Sequence, residues 1–400
     1  MNILFLTLGI SDDINERGIY NDLMRKFRDE GHKVYIICPN ERRLNKKSTI
    51  SMFDGIKIIK MKWLNIQKCN TIEKGIATLL LDYLFLWGII KYLREIKYDL
   101  LLYSTPPITF EKSIKYIKRK SKAKSYLLLK DIFPQNAVDI GLMRKNSFIY
   151  KYFRRKEIAL YNLSDHIGCM SPANVQYVLE HNFLSPKKVE VNPNSLEPVS
   201  FNISEGNLNK IKKKYNIPLN SLVLLYGGNI GEPQGIDFLI QVLESNTNND
   251  DFFFIIIGSG TKFNQLSNWI TNKNPQNSIL LEQLPKSEFD NFVMLADVGL
   301  IFLDKRFTIP NFPSRLLSYL ENKKPVLLAT DKVSDMGKIA EENKFGLWSE
   351  SGNLYNFNDN MCKLKGDIDL RKTMGEEGFN YFMNNFTVSH SYEKIISHLN

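Results

Sequence analysis

The chain has 400 residues, 43% hydrophobic and 24% charged, which is ordinary globular material and more than one typical domain's worth. Its four cysteines (Cys38, Cys69, Cys169, Cys362) stand far apart with no CxxC or Cys/His cluster, which excludes a disulfide framework or a recognisable zinc motif and fits a reducing compartment. The net charge of +10 is uneven: residues 1–196 carry 33 Lys and Arg against 19 Asp and Glu, a net +14, and the remainder is −4, so the first half suits an anionic surface such as phospholipid, lipid diphosphate or nucleic acid, unless its lysines simply solvate the surface.

Taken in chain order, the first half alternates apolar runs with amphipathic ones. The opening Met1-Asn-Ile-Leu-Phe-Leu-Thr-Leu lacks a basic n-region and reads as a buried strand over 3–8, not as a signal peptide. A helix over 18–30 ends at Gly31, and strands follow over 33–38 and 57–61. Residues 76–93 are mostly apolar, but Asp82 interrupts them, which is costly for a membrane span; a buried or interfacial helix within 76–96 is expected. Strand 100–103, basic helix 108–120, strand 125–130, helix 148–163, strand 166–170 and strand 189–191 complete an α/β pattern of mostly parallel sheet. Asp131 closes strand 125–130, where a carboxylate can act as a base, bind a sugar hydroxyl or simply cap a turn.

The segment 193–211, rich in Asn, Ser and Pro, reads as a linker between domains 1–196 and 197–385. The second half then alternates again: strand 222–226, helix 235–244, strand 252–257, a helix to 270, strand 279–281, helix 286–296, strand 298–302, a helix from Pro313, strand 325–328, helix 336–342 and a helical region 371–399. After the first of these strands come Gly227-Gly228-Asn229-Ile230-Gly231 and Gln234, and after the second Gly258-Ser259-Gly260. Glycine turns at strand ends let backbone approach a ligand, and the following helix start suits an anion; either turn alone is equally a ligand-free βα turn. There is no GxGxxG with a later acidic partner, so a dinucleotide site is not supported. Ser314 and Arg315 open the helix after Pro313 and supply a hydroxyl and a guanidinium for a diphosphate. Asp367-Ile-Asp369 has the form of a metal-binding DxD, but its place at a helix start makes capping the better reading, and His32 reads as an ordinary loop residue.

Together these landmarks resemble the GT-B glycosyltransferases, specifically glycosyltransferase family 4 of bacterial polysaccharide synthesis. Gly18-Ile-Tyr-Asn-Asp-Leu…Glu30-Gly-His-Lys-Val-Tyr35 is similar to the family's opening, and Lys130-Asp-Ile-Phe-Pro-Gln-Asn-Ala-Val-Asp-Ile-Gly141 to a stretch of the N-acetylfucosamine transferase subgroup. Gly228-Asn-Ile-Gly…Gln234-Gly-Ile-Asp and Pro313-Ser-Arg-Leu-Leu-Ser-Tyr-Leu…Lys324-Pro-Val are similar to that subgroup's donor domain, and Phe386-Thr387 to a tail whose helix, about 386–400, packs back on the first domain. The resemblance implies two Rossmann-like βαβ domains facing across a cleft. It implies a metal-independent, retaining transferase with no cofactor, moving an N-acetylated amino- or deoxysugar from a UDP-sugar to an undecaprenyl-diphosphate-linked saccharide of a capsule or O-antigen. Donor contacts would come from Gly228, Asn229, Gly231, Gln234, Gly258, Ser259, Gly260, Leu284, Ser314, Arg315 and Ser318, acceptor contacts from Arg17, Gly18 and Asp131, and catalysis from Asp131 and Arg315. The basic first domain would hold the protein peripherally on the anionic inner face of the cell membrane, with Lys112–Lys124 and Arg144–Lys156 as contacts.

The sequence departs from the broad family at four places. Asn229 and Gln234 stand where the donor loop usually carries an arginine and a lysine, and Pro310 and Ser318 where an E-x7-E motif has its glutamates. The diphosphate would therefore rely more on Arg315, Ser314 and backbone N–H groups. Two rival readings are a nucleotide-sugar epimerase of the same fold and a degenerate GT-B subunit that only binds. Nucleic-acid binding rests on charge alone, without an RRM, KH or helix-turn-helix signature, and is not expected.

Overall fold

A computed structural model describes residues 1–66, 69–200 and 204–399. The chain divides into two compact units, Met1–Glu197 with Thr387–Asn400, and Pro198–Phe386.

Unit 1 runs β1 (Asn2–Leu6), α1 (Ile19–Asp29), β2 (Lys33–Glu41), β3 (Thr49–Phe53), β4 (Ile56–Trp63), α2 (Thr71–Tyr92), β5 (Leu100–Ser104), α3 (Glu111–Ser121), β6 (Lys124–Leu129), α4 (Gln135–Asp139), α5 (Phe148–Leu163), β7 (His166–Cys169), α6 (Pro172–His181) and β8 (Val189–Val191). Its sheet order is β3-β4-β2-β1-β5-β6-β7-β8, parallel except for the antiparallel β3–β4 pair. Strand β5 is buried along its whole length, as a parallel strand covered by helices on both faces must be. The chain winds outward in both directions from β1, so the order reverses between β1 and β5.

Unit 2 runs α7 (Glu205–Lys214), β9 (Leu222–Asn229), α8 (Ile236–Ser245), β10 (Phe252–Ser259), α9 (Phe263–Lys273), β11 (Ser278–Glu282), α10 (Lys286–Leu295), β12 (Val298–Phe302), α11 (Arg315–Glu321), β13 (Val326–Thr330), α12 (Met336–Glu342), β14 (Gly346–Glu350), α13 (Leu354–Gly366) and α14 (Ile368–Asn385). The sheet is wholly parallel, β11-β10-β9-β12-β13-β14, and its order reverses between β9 and β12. In open α/β sheets ligands bind beyond the strands' carboxyl ends at such a reversal. The closing helix α15 (Val388–Ser397) belongs to unit 1, where Tyr392 stacks edge-on against Phe27 of α1 and Leu196 bridges Thr387.

Several elements differ from the sequence-based expectation. The linker segment 193–211 contains the start of α7, whose apolar residues Leu208 and Ile211 are only half-buried and too few to stand out among its lysines and asparagines. Strands β3 and β14 and helices α4 and α13 were not anticipated. Strand β3 is a sheet edge with Ile50 and Met52 exposed, so its alternation points partly outward. Helix α2 begins at Thr71 and stops at Tyr92, before the expected 96. Its Asp82 is buried and accepts from the backbone N–H groups of Lys112 and Ser113 and from Ser113 Oγ, at 2.7, 3.0 and 2.7 Å. The aspartate inside the apolar run thus supplies a carboxylate to the orphan donors at the start of α3.

Candidate functional site

In unit 2 the two glycine turns lie side by side. Strands β9 and β10 pair Gly228 with Gly258 and Asn229 with Ser259, so both turns emerge from one end of the sheet, next to the β9/β12 reversal. From α11, Arg315 reaches this edge. Its guanidinium carbon stands 4.5 Å from the centroid of the Tyr226 ring, and a Cβ placed on Gly228 would lie 3.7 Å from it. Gly228 has φ +116°, a conformation that suits glycine. Tyr226 is itself fixed: its hydroxyl donates to the Asn229 carbonyl at 2.6 Å. Arg315 Nη1 is buried and has no hydrogen-bond partner. A cationic donor left unsatisfied beside a glycine backbone is a strong signal for an anionic ligand, because burying such a group unpaired is costly.

The donor candidates at the ends of β9, β10 and β11 and on the loops after them fall into three groups. Asn229 donates from Nδ2 to Gln234 Oε1 at 2.6 Å, and a Cβ on Gly231 would meet both side chains at 2.8–3.3 Å; these three residues form one polar rim. Ser259 donates to Gln283 Oε1 at 3.1 Å, which brings the turn after β10 against the loop that holds Leu284. Gly258 and Gly260 are also required by packing. A Cβ on Gly258 would sit 1.8 Å from the Gly228 oxygen, and one on Gly260 2.2 Å from the Ile230 oxygen. Close approach of the two turns accounts for both glycines without a ligand.

Ser314 stands at the N-cap of α11 and Arg315 is its first residue, as expected. Helix α11 has seven residues, and Ser314, with αR backbone angles, makes no side-chain capping bond. So short a helix offers little dipole, which leaves the Arg315 side chain as the positive group at this end of α11. Ser318 lies one turn further along α11, and its carbonyl accepts from Asn322. Glu321 does not substitute for the missing glutamate at 318, since it is buried and accepts from the Val199 N–H at 2.9 Å.

In unit 1 Asp131 follows β6 and accepts from Asn136 Nδ2 at 2.7 Å, while Thr105 Oγ1 receives the N–H groups of Lys130 and Asp131. Burial pushes its carboxyl up to about 6 against the lowering effect of the Asn136 and Ile132 N–H donors. Its neighbour Lys130 donates to the Asn192 carbonyl at 3.0 Å, and burial pulls its ammonium down to about 7. Gly18 needs no glycine for packing, because a Cβ there meets nothing within 4 Å. Its N–H donates to buried Asp22, which also receives Arg25 and the Glu197 N–H. Arg17, expected to face an acceptor, donates to the Glu197 carbonyl at 3.1 Å and so ties α1's approach to the end of the unit's main segment.

Sequence reasoning missed Tyr226, Lys130 and a charged network around Glu232. Glu232 pairs with Lys262 at 3.1 Å and Arg306 at 2.6 Å, and Arg306 also pairs with Asp304 at 2.7 Å. These residues follow β9, β10 and β12, so three strand ends share one ionic cluster. The signal was available as a basic residue two positions after Gly260, but only the sheet order links it to Glu232. Asp367 accepts from the Leu370 N–H at the start of α14, which makes it a cap. His32 bonds the Tyr392 hydroxyl at 3.0 Å.

Comparison with known proteins adds a family context. Residues 19–198 match the model of Glycosyltransferase Family 4, and residues 208–381 match that of Glycosyl transferases group 1. The chain is 23% identical over 308 residues, 74% of each chain, to the probable glycosyltransferase WbjE of Pseudomonas aeruginosa. It is 20% identical over 257 residues, 62% of this chain and 61% of the other, to the putative colanic acid biosynthesis glycosyl transferase WcaI of Escherichia coli K12. Among solved structures it is similar in fold to HepE of Anabaena in complex with UDP-glucose, with a TM-score of 0.69, 14% identity, and coverage of 100% of this chain and 99% of that one.

Proposed function

Since the chain is a GT-B glycosyltransferase, pairing a family 4 domain with a group 1 domain, we propose that it transfers a sugar from a UDP-linked donor to a lipid-linked saccharide in surface-polysaccharide assembly. The observation that carries the donor half is the buried, unpartnered Nη1 of Arg315 beside Gly228. A departing nucleoside diphosphate gains negative charge in the transition state, and a guanidinium already held over Tyr226 meets that charge without reorganising. Asn229, Gln234 and Ser259 offer polar contacts around it. UDP-glucose in HepE and the role named for WcaI support this choice of donor and pathway class.

For the acceptor half, Asp131 binds the attacking hydroxyl and takes its proton. A carboxyl near 6 is ionised at neutral pH yet close enough to it for proton transfer. The reaction proceeds with retention and without a metal. The acceptor is an undecaprenyl-diphosphate saccharide, and the sugar an N-acetylated amino- or deoxysugar. The basic unit 1 keeps the protein on the inner face of the cell membrane.

The test is incubation with labelled UDP-sugars, with and without an extracted lipid-linked saccharide fraction. Label entering the organic phase only with that fraction, with release of UDP, supports the proposal. Conversion of the donor sugar without acceptor indicates the epimerase. Transfer by Arg315→Ala at the wild-type rate removes the donor assignment. EDTA should leave the rate unchanged.

A further inference from the structure

Helix α2 carries a surface that neither the fold nor the transfer reaction explains. Its inner side, with Leu81, Leu84, Phe85 and Ile89, is buried in unit 1 against β2, β4 and α3. The helix is long and apolar enough to cross a membrane, but this packing and buried Asp82 commit one side to the protein. Its outer side is the anomaly. Every exposed position between 76 and 90 is apolar or aromatic: Ile76, Leu79, Leu80, Tyr83, Trp87 and Ile90, each 42–52% exposed. At roughly 3.6 residues per turn these six fall within an arc of about 100°. The solvent face of a globular protein's helix is normally polar, and a contiguous apolar patch marks an interaction site.

The neighbouring chemistry identifies the partner. Lys112 of α3 lies 3.6 Å from the Tyr83 ring centroid and bonds its hydroxyl, and Lys91 lies 4.5 Å from the Trp87 ring centroid. Directly beside the stripe a cavity of about 480 Å³ is lined by Leu86, Lys112, Lys115, Tyr116, Arg119 and Lys120. Lys120 Nζ is buried there with no hydrogen-bond partner. An apolar stripe bearing Trp and Tyr, edged by lysines and opening on a four-cation cavity, has the chemistry of an acyl–headgroup boundary, where aromatic rings and lysine stems sit between hydrocarbon and phosphate.

We propose that α2 is an interfacial docking helix: the Ile76–Ile90 stripe enters the headgroup–acyl boundary of an anionic bilayer, and the α3 cavity takes a lipid phosphate. This rests on the membrane-surface part of the proposed function and assigns it to one face. It differs from attraction by diffuse positive charge, because apolar insertion survives salt that screens surface charge.

The test is co-sedimentation with phosphatidylcholine vesicles with and without phosphatidylglycerol, at low and high salt. Wild type should bind the anionic vesicles, retain part of that binding at high salt, and show a blue shift of tryptophan emission that Trp87→Phe removes. Leu80→Ser/Trp87→Ser should lower the partition coefficient about tenfold or more, in line with the apolar area withdrawn. Lys115→Gln/Arg119→Gln/Lys120→Gln should abolish the preference for phosphatidylglycerol. UDP-induced thermal stabilisation, retained in each variant, reports that it folds and tests the donor reading separately. Equal binding by wild type and Leu80→Ser/Trp87→Ser would overturn the proposal, as would a wild-type dimer that becomes monomeric in that variant, since the stripe would then join two copies of the chain.

Discussion

At the scale of single residues, Arg315 and Asp131 make the sharpest predictions. Arg315→Ala should lower the transfer rate by roughly 10²–10³, the range for loss of one preorganised charge-stabilising donor. Arg315→Lys should restore only part of it, because a lysine loses the planar fork and the stacking over Tyr226. Asp131 titrates near 6 in the fold, above the ordinary carboxylate value of 3.8, so the fold favours its protonated form. Its contribution to stability is therefore full below about pH 4 and lost as pH rises through about 6. Asp131→Asn should gain melting temperature relative to wild type between pH 5 and pH 7, while its transfer activity is lost at every pH. Wild-type activity should fall as pH drops below about 6, a limb that pH-dependent transfer rates would reveal. Neighbouring Lys130 titrates near 7, below its ordinary 10.5, so its effect runs the other way: burial of the ammonium costs stability as pH falls through that range.

At the scale of elements, the two glycine turns separate packing from binding. Gly258→Ala places a methyl carbon 1.8 Å from a backbone oxygen on the adjacent strand, so backbone must shift. The expected cost is about 2–3 kcal/mol, in the range of overpacked sites, read as a lower denaturation midpoint. Gly18→Ala meets open space and should leave the midpoint unchanged. Much of this level was legible in the sequence. The β9–Gly228 run, the second turn and Arg315 stand out because strand, glycine and helix signals coincide. The strand-end ion cluster was not legible, since Glu232, Lys262 and Arg306 are joined only by the order β10-β9-β12. Helix α7 was missed because its half-buried Leu208 and Ile211 are too few to make a period stand out. Asp82 looked like an interruption of an apolar helix until α3 was seen to start against it.

At the scale of the whole molecule, the chain separates two chemistries. Residues 1–196 carry the positive charge and an apolar, cation-edged helix face; the slightly acidic remainder carries, at a sheet reversal, the Arg315 guanidinium whose buried Nη1 has no partner. The central claim is that this second unit holds a nucleoside diphosphate through Arg315. Thermal unfolding with and without millimolar UDP tests it most directly, because a ligand that binds only the folded state raises its melting point by mass action. The account predicts a rise of several degrees for wild type and little or none for Arg315→Ala at the same UDP concentration. No rise for wild type, or an equal rise in Arg315→Ala, would contradict it.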